Sequence, residues 1–185
     1  MSFLNESSVL LKLQEVGSDC QKALQNVILS TGIPETPGRD LEVRHIQDMP
    51  AKLPLSTEEG QQKLVHDLAN IELQAMELGF RTLVEYPNAP AEFRLELEAI
   101  VLEEALHLKM CLEVLENLGG HWGKWPVHLG LWVSVSGTDS LLERLFIVHR
   151  YLESSGLDAG EKILSRLRGA PNLGVGKLVE RIVED

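Results

Sequence analysis

Apolar residues recur three and four positions apart along most of this chain, the period of amphipathic helices. Val9, Leu10, Leu13, Val16, Cys20, Leu24, Val27 and Ile28 predict a first helix over about residues 6 to 29. Pro34, Pro37, Pro50 and Pro54 interrupt any helix between residues 31 and 57, so this stretch reads as a long Pro-containing wrap. Ser56 followed by Glu59 has the spacing of a capping box and opens a helix reaching about Tyr86. Pro87 and Pro90 break the chain, and a further helix runs to a stop at Gly119 and Gly120. Residues 119–137 are rich in Gly, Trp and His and read as a crossover between helix pairs. Another helix is expected over roughly 139–154, broken at Gly156. A shorter one follows from about 158 to 168, and a last segment follows Pro171. Alternating strand patterns of useful length are absent. The expected fold is all-α, with residues 1–57 as an N-terminal helix and extension and residues 58–185 as the helical domain.

Two ionisable residues interrupt this pattern at its centre. With Ile100 as reference and about 100° per residue, Phe93, Leu97, Leu108, Cys111, Val114, Leu115 and Leu118 form an arc from about −40° to about +80°. Glu104 falls at about +40° and His107 at about −20°, inside that apolar arc. Glu98, Lys109 and Glu116 point away, at about 160–180°. A carboxylate and an imidazole in an apolar stripe need compensation, because an isolated buried charge costs several kcal/mol or more. A metal ion is one such compensation. The three-residue spacing of Glu-x-x-His sets both groups one turn apart on one side of the helix.

The preceding helix offers a second inward acid. With Leu68 as reference, Leu64, Val65, Ile71, Ala75 and Leu78 define its apolar face, and Glu72 lies at about +40° on it. Glu77, at about 180°, and His66, at about 160°, are expected to face solvent. In the helix from 139, Leu141, Leu142, Leu145, Val148 and Leu152 make the apolar face. Glu153 lies at its edge, His149 one turn earlier, and Glu143 points away. Glu72 and Glu104 stand 32 positions apart, and the same step from Glu153 lands on Asp185. Leu97-Glu-Ala-Ile-Val-Leu-Glu103 also resembles Val179-Glu-Arg-Ile-Val-Glu-Asp185. A two-fold repeat of Glu followed by Glu-x-x-His is the ligand set of carboxylate-bridged dimetal bundles. Each residue also has a plainer role available. Glu72 suits a pair with an arginine across the bundle, Glu153 a surface helix end, and His149 a packed or ligand-supporting position. His121 and His128, on the crossover, are expected to fix that loop.

Composition narrows the function classes. The 185 residues carry a formal charge of −11, and scattered Lys and Arg argue against a nucleic-acid-tracking surface. Cys20 and Cys111 are the only cysteines, too few for a disulfide framework. No apolar run approaches the ~20 residues of a membrane span, and the polar N-terminus lacks the pattern of a signal peptide. A cytoplasmic protein is expected.

Several motifs together resemble the ferritin-like superfamily, and within it a bacterial branch known as a domain of unknown function. They are Pro37-Gly-Arg39, the run His66-Asp-Leu-Ala-Asn-Ile-Glu72-Leu-Gln-Ala-Met-Glu-Leu78, Glu103-Glu-Ala-Leu-His107, Leu118-Gly-Gly-His-Trp-Gly-Lys-Trp-Pro-Val-His-Leu-Gly-Leu-Trp132 and Leu152-Glu-Ser-Ser-Gly-Leu-Asp158. The resemblance spans about residues 37 to 185 and implies a ferritin-like four-helix bundle with metal ligands Glu72, Glu104, His107 and Glu153. It also implies a second Glu-x-x-His beyond Asp185, so the chain is expected to be a short member. A homodimer or a partner would then cover an incomplete bundle face. Carboxylates with one imidazole per ion suit iron or manganese. The expected activity is an oxidoreductase that activates dioxygen or peroxide on a small substrate. The alternative is a metal-free helical interaction module.

Overall fold

The computed structural model describes residues 2–28, 32–148, 153–167 and 173–184, with backbone alone for residues 153–159 and Leu173. It is an all-α bundle of α1 (Val9–Leu24), α2 (Glu58–Glu85), α3 (Ala91–Asn117), α4 (Leu141–Leu145), α5 (Glu153–Leu167) and α6 (Leu173–Glu184). Among the described residues there is no strand, and one isolated parallel bridge joins Val43 to Val127. No described helix is long and apolar enough to cross a membrane.

The long α2 and α3 form an antiparallel hairpin. The helical hydrogen bonding of α2 ends at Tyr86, whose N–H still bonds to the Thr82 carbonyl, and α3 starts directly after Pro90. Proline lacks an N–H and restricts the residue before it, which explains why neither helix runs through Tyr86–Pro90. At α2's start the cap is Thr57, whose Oγ1 accepts the Gly60 N–H at 3.0 Å. The cap therefore lies one residue after the expected Ser56, and with Gly60 opposite it the reciprocal half of the expected Ser56–Glu59 box is not made. Gly119, with φ of +72° just past α3, supplies the left-handed stop that glycine favours.

The hairpin is closely packed because Gly79 has no side chain. A Cβ there would lie 2.7 Å from Val101 Cγ2. One hydrophobic cluster runs from Phe3 and Leu4 through Val16 and Cys20 of α1, Leu73 and Phe80 of α2, and Val101 and Leu108 of α3. It continues to Leu167 of α5 and Val175, Leu178 and Val179 of α6.

The other side of α2 corrects two expectations. Glu77 is fully buried rather than solvent-facing: its carboxylate receives Lys12 Nζ at 2.8 Å and both Nη atoms of Arg39 at 2.7 and 2.6 Å. His66 is also fully buried, stacked on Trp122 with ring centroids 4.9 Å apart. An apolar stripe marks the inward face of a helix with one neighbour, but α2 has two. The hairpin partner takes its apolar face, while the wrap and crossover lie on the opposite face. That second face is polar because loops bring backbone groups that need partners. Residues one turn apart supply them. Gln62 donates to the Leu118 carbonyl, His66 Nε2 accepts from Gly123 N–H, and Asn70 and Gln74 both donate to the His128 carbonyl. Wrap and crossover are joined by Arg44 N–H to the Val127 carbonyl and Val127 N–H to the Glu42 carbonyl.

Within the segment expected as a helix over 139–154, residues 141–148 are helical, the last three as a π-helical turn, and residues 149–152 lie outside the described residues. Ser140 and Glu143 form a reciprocal capping box that opens the five-residue α4. Of the expected apolar face, Leu141, Leu145 and Val148 are half-buried but Leu142 is 78 % exposed, and the fully buried side chain of α4 is Arg144. The following described helix, α5, begins at Glu153 and runs through Gly156 without a break.

Candidate metal centre

Glu72 and Glu104 each lie sixteen positions from Asn88, the middle of the interhelical connection. In an antiparallel hairpin, residues equidistant from the turn lie at the same height, and the Gly79 contact with Leu97 and Val101 has this register. The hairpin therefore brings Glu72 beside Glu104, and His107 follows Glu104 by one turn on the same side. A ligand atom from each of Glu72, Glu104 and His107 lies within 4.8 Å of the others. His107 Nδ1 is 3.7 Å from Glu72 Oε2 and 3.6 Å from Glu104 Oε2. Donors sharing one divalent ion at about 2.1 Å are separated by roughly 3 to 4.2 Å, so these spacings match a common cation.

Burial makes the cluster demanding. The Glu72 and His107 side chains are 6 % and 5 % exposed, while that of Glu104 is 25 % exposed. Burial, opposed by His107 and reinforced by Glu104, pushes the Glu72 carboxyl up to about 7. Cys111 follows His107 by one further turn and is fully buried. Burial raises its thiol well above the usual range, and Glu72 and Glu104 add to the effect. In the metal-free protein it is a neutral thiol, and the three grouped donors are hard carboxylate oxygen and imidazole nitrogen.

Three of the four expected ligands are thus brought together. Glu153 lies at the first position of α5, and its side chain lies outside the described residues, as do His149 and Asp185. His128 serves the crossover: its Nδ1 accepts from Gly130 N–H and its carbonyl from Asn70 and Gln74. His121 is exposed.

Two ionic networks escaped the sequence reading. One is Lys12–Glu77–Arg39. The other joins Glu85 to Arg81 at 3.0 Å and to Arg144 at 2.7 Å. A signal for the first was present in α1. The buried residues Val9, Lys12, Val16, Asp19, Cys20 and Ala23 follow three- and four-residue spacing, and that stripe includes Lys12 and Asp19.

Over residues 6–185 the chain matches the profile of a family described as protein of unknown function (DUF455). It is 29 % identical over 147 residues to an uncharacterized protein of Haemophilus influenzae, an alignment covering 75 % of this chain and 51 % of that protein. The chain therefore spans about half the length of the curated relative it matches. No solved structure matches it.

Proposed function

The chain belongs to the DUF455 family, and on that premise we propose that it is a ferritin-like carboxylate-bridged dimetal protein. Its metal would be iron or manganese, and its activity that of an oxidoreductase using dioxygen or peroxide on a small substrate. The observation carrying this reading is the convergence of Glu72, Glu104 and His107 within 4.8 Å at the seam of two long helices. Two carboxylates and one imidazole are the donor types that hard divalent ions select. In this reading Glu153, at the start of α5, is the fourth ligand.

Bound metal would supply the electrons and oxygen affinity that carboxylates and imidazole lack. The side chains have other tasks. Glu72, the more buried of the two carboxylates, accepts or releases a proton near neutrality, so binding a cation there displaces a proton. Glu104, more exposed, forms the open side of the cluster. His107 presents Nδ1 towards both carboxylates. Burial of Glu72 and His107 strengthens the electrostatic contacts they make.

A metal-free helical module is the second reading. It is favoured by the same raised Glu72 carboxyl, since a protonated Glu72 beside Glu104 relieves burial without a cation. Elemental analysis after anaerobic loading with Fe²⁺ or Mn²⁺ separates the two readings. Stoichiometric metal in the wild type and its loss in a Glu104→Ala/His107→Ala variant support the metal site. A folded wild type that retains no ion supports the module.

A further inference from the structure

A cleft of about 620 Å³ lies near the C-terminal end of α2. It is about 13 Å along the helix axis from Glu72, at nine residues and about 1.5 Å per residue. One wall is Trp132, which is 2 % exposed and held by its indole N–H to the Glu35 carbonyl at 2.9 Å. The Arg81 guanidinium stacks over that ring at 4.7 Å. Ile33, Pro34, Val133 and Val135 supply apolar lining.

The two arginines at this end of the bundle are used differently. Arg144 is fully buried and nearly saturated, donating to Asp139, Thr82, Glu85 and the Ser136 carbonyl. It holds the crossover's end to α2. Arg81 is more than nine-tenths buried, yet donates only from Nε to Glu85 and from Nη1 to the Trp132 carbonyl at 3.4 Å. A guanidinium has five N–H donors, so three are unused among the described residues. Arg81 lines the cleft, and its Nη2 has no hydrogen bond among the described residues.

We infer that this cleft is a binding site for a small organic monocarboxylate with an apolar body, its carboxylate received by the Nη edge of Arg81. A planar guanidinium edge matches a carboxylate with two parallel hydrogen bonds. A volume of this size suits a small molecule, and the sites that take one combine apolar walls with few directed polar groups. Arg81 and Arg144 balance Glu85 and Asp139, so the carboxylate is held by the directed Nη–H donors of Arg81 rather than by a surplus of positive charge. Glu35, exposed at the rim, selects against di- and tricarboxylates. This site is separate from the metal cluster and does not depend on it.

The test is a titration of the full, chelator-treated chain with straight-chain monocarboxylates from acetate to octanoate, followed by calorimetry and amide chemical shifts. Octanol and octylamine are the controls. Affinity is expected to rise with chain length, with octanol at least tenfold weaker than octanoate and shifts centred on Trp132 and Val135. Arg81→Gln should weaken octanoate at least tenfold. Val133→Asp, at a residue 69 % exposed, should do the same without disturbing the fold, and it decides the matter if Arg81→Gln fails to fold. Glu72→Gln should bind as the wild type does. Absence of binding, equal affinity for octanol, or undiminished affinity in folded Arg81→Gln or Val133→Asp would overturn the assignment.

Discussion

Replacing Glu77 with glutamine separates a surface acid from a core one. Glu77 accepts three charge-assisted hydrogen bonds, from Lys12 Nζ at 2.8 Å and from Arg39 at 2.7 and 2.6 Å. The side chains of Lys12 and Arg39 are 0 % and 3 % exposed. Glutamine keeps the volume but removes the charge and turns an amide donor towards two cations. Lys12 would retain the Phe3 and Leu4 carbonyls, and Arg39 the Gly38 carbonyl. Among the described residues neither would retain an ion pair. Breaking a buried ion pair costs about 3–5 kcal/mol, against roughly 0.5 kcal/mol or less for an ordinary surface substitution. Glu and Gln have nearly equal helix propensity, so little of the difference arises locally. For a chain of this size the loss corresponds to a fall in Tm of roughly 6–20 °C, at about 2–4 °C per kcal/mol. Urea unfolding followed by circular dichroism at constant pH measures it. Protease sensitivity of the wrap, which Arg39 ties to α2, should rise in parallel. A loss below about 1 kcal/mol, with the wrap still protected, would refute the argument that this network staples α1 and the wrap to α2.

Other outcomes follow from particular contacts. Gly79→Ala should destabilise by about 1–3 kcal/mol through overpacking against Val101, despite gaining about 1 kcal/mol in helix propensity; a more stable variant in urea would contradict the close hairpin approach. In metal-free protein the raised Glu72 carboxyl favours the folded state only while protonated, so stability should fall as pH rises from about 4.5 to about 7. His66 acts in the opposite direction: burial, with Lys63 and His121 nearby, holds its imidazole down to about 4, so stability is lost as pH falls from 6.5 to about 4. Glu72→Gln should therefore show stability rising with pH across this window and His66→Phe stability falling with it; chelated samples that keep identical slopes would count against both assignments. Fe²⁺ or Mn²⁺ affinity should weaken as pH drops below about 7 and Glu72 binds its proton, as isothermal titration at several pH values would show.

Much of the bundle and its candidate site is legible in one dimension. The 3.6-residue period, Pro87 and Pro90, and the Gly119–Gly120 stop determine α2 and α3 and the break between them. Their nearly equal lengths about Asn88 then set the register. Glu72, Glu104 and His107 were identifiable because polar groups on an apolar stripe contradict the pattern around them, and a hairpin brings such exceptions to one level. What only tertiary structure decided concerns faces without a simple pattern. Glu77 and His66 lie opposite the apolar stripe, where an angular reading assigns solvent, yet the wrap and crossover cover that face. Arg144 turns inward while Leu142 stays exposed, because the backbone carbonyl of Ser136 and the carboxylates of Glu85 and Asp139 need a donor there. Apolar periodicity reports burial against other apolar surface. It is silent where a helix packs on irregular backbone, since the partners required there are polar and their identity depends on which loop, distant in sequence, arrives.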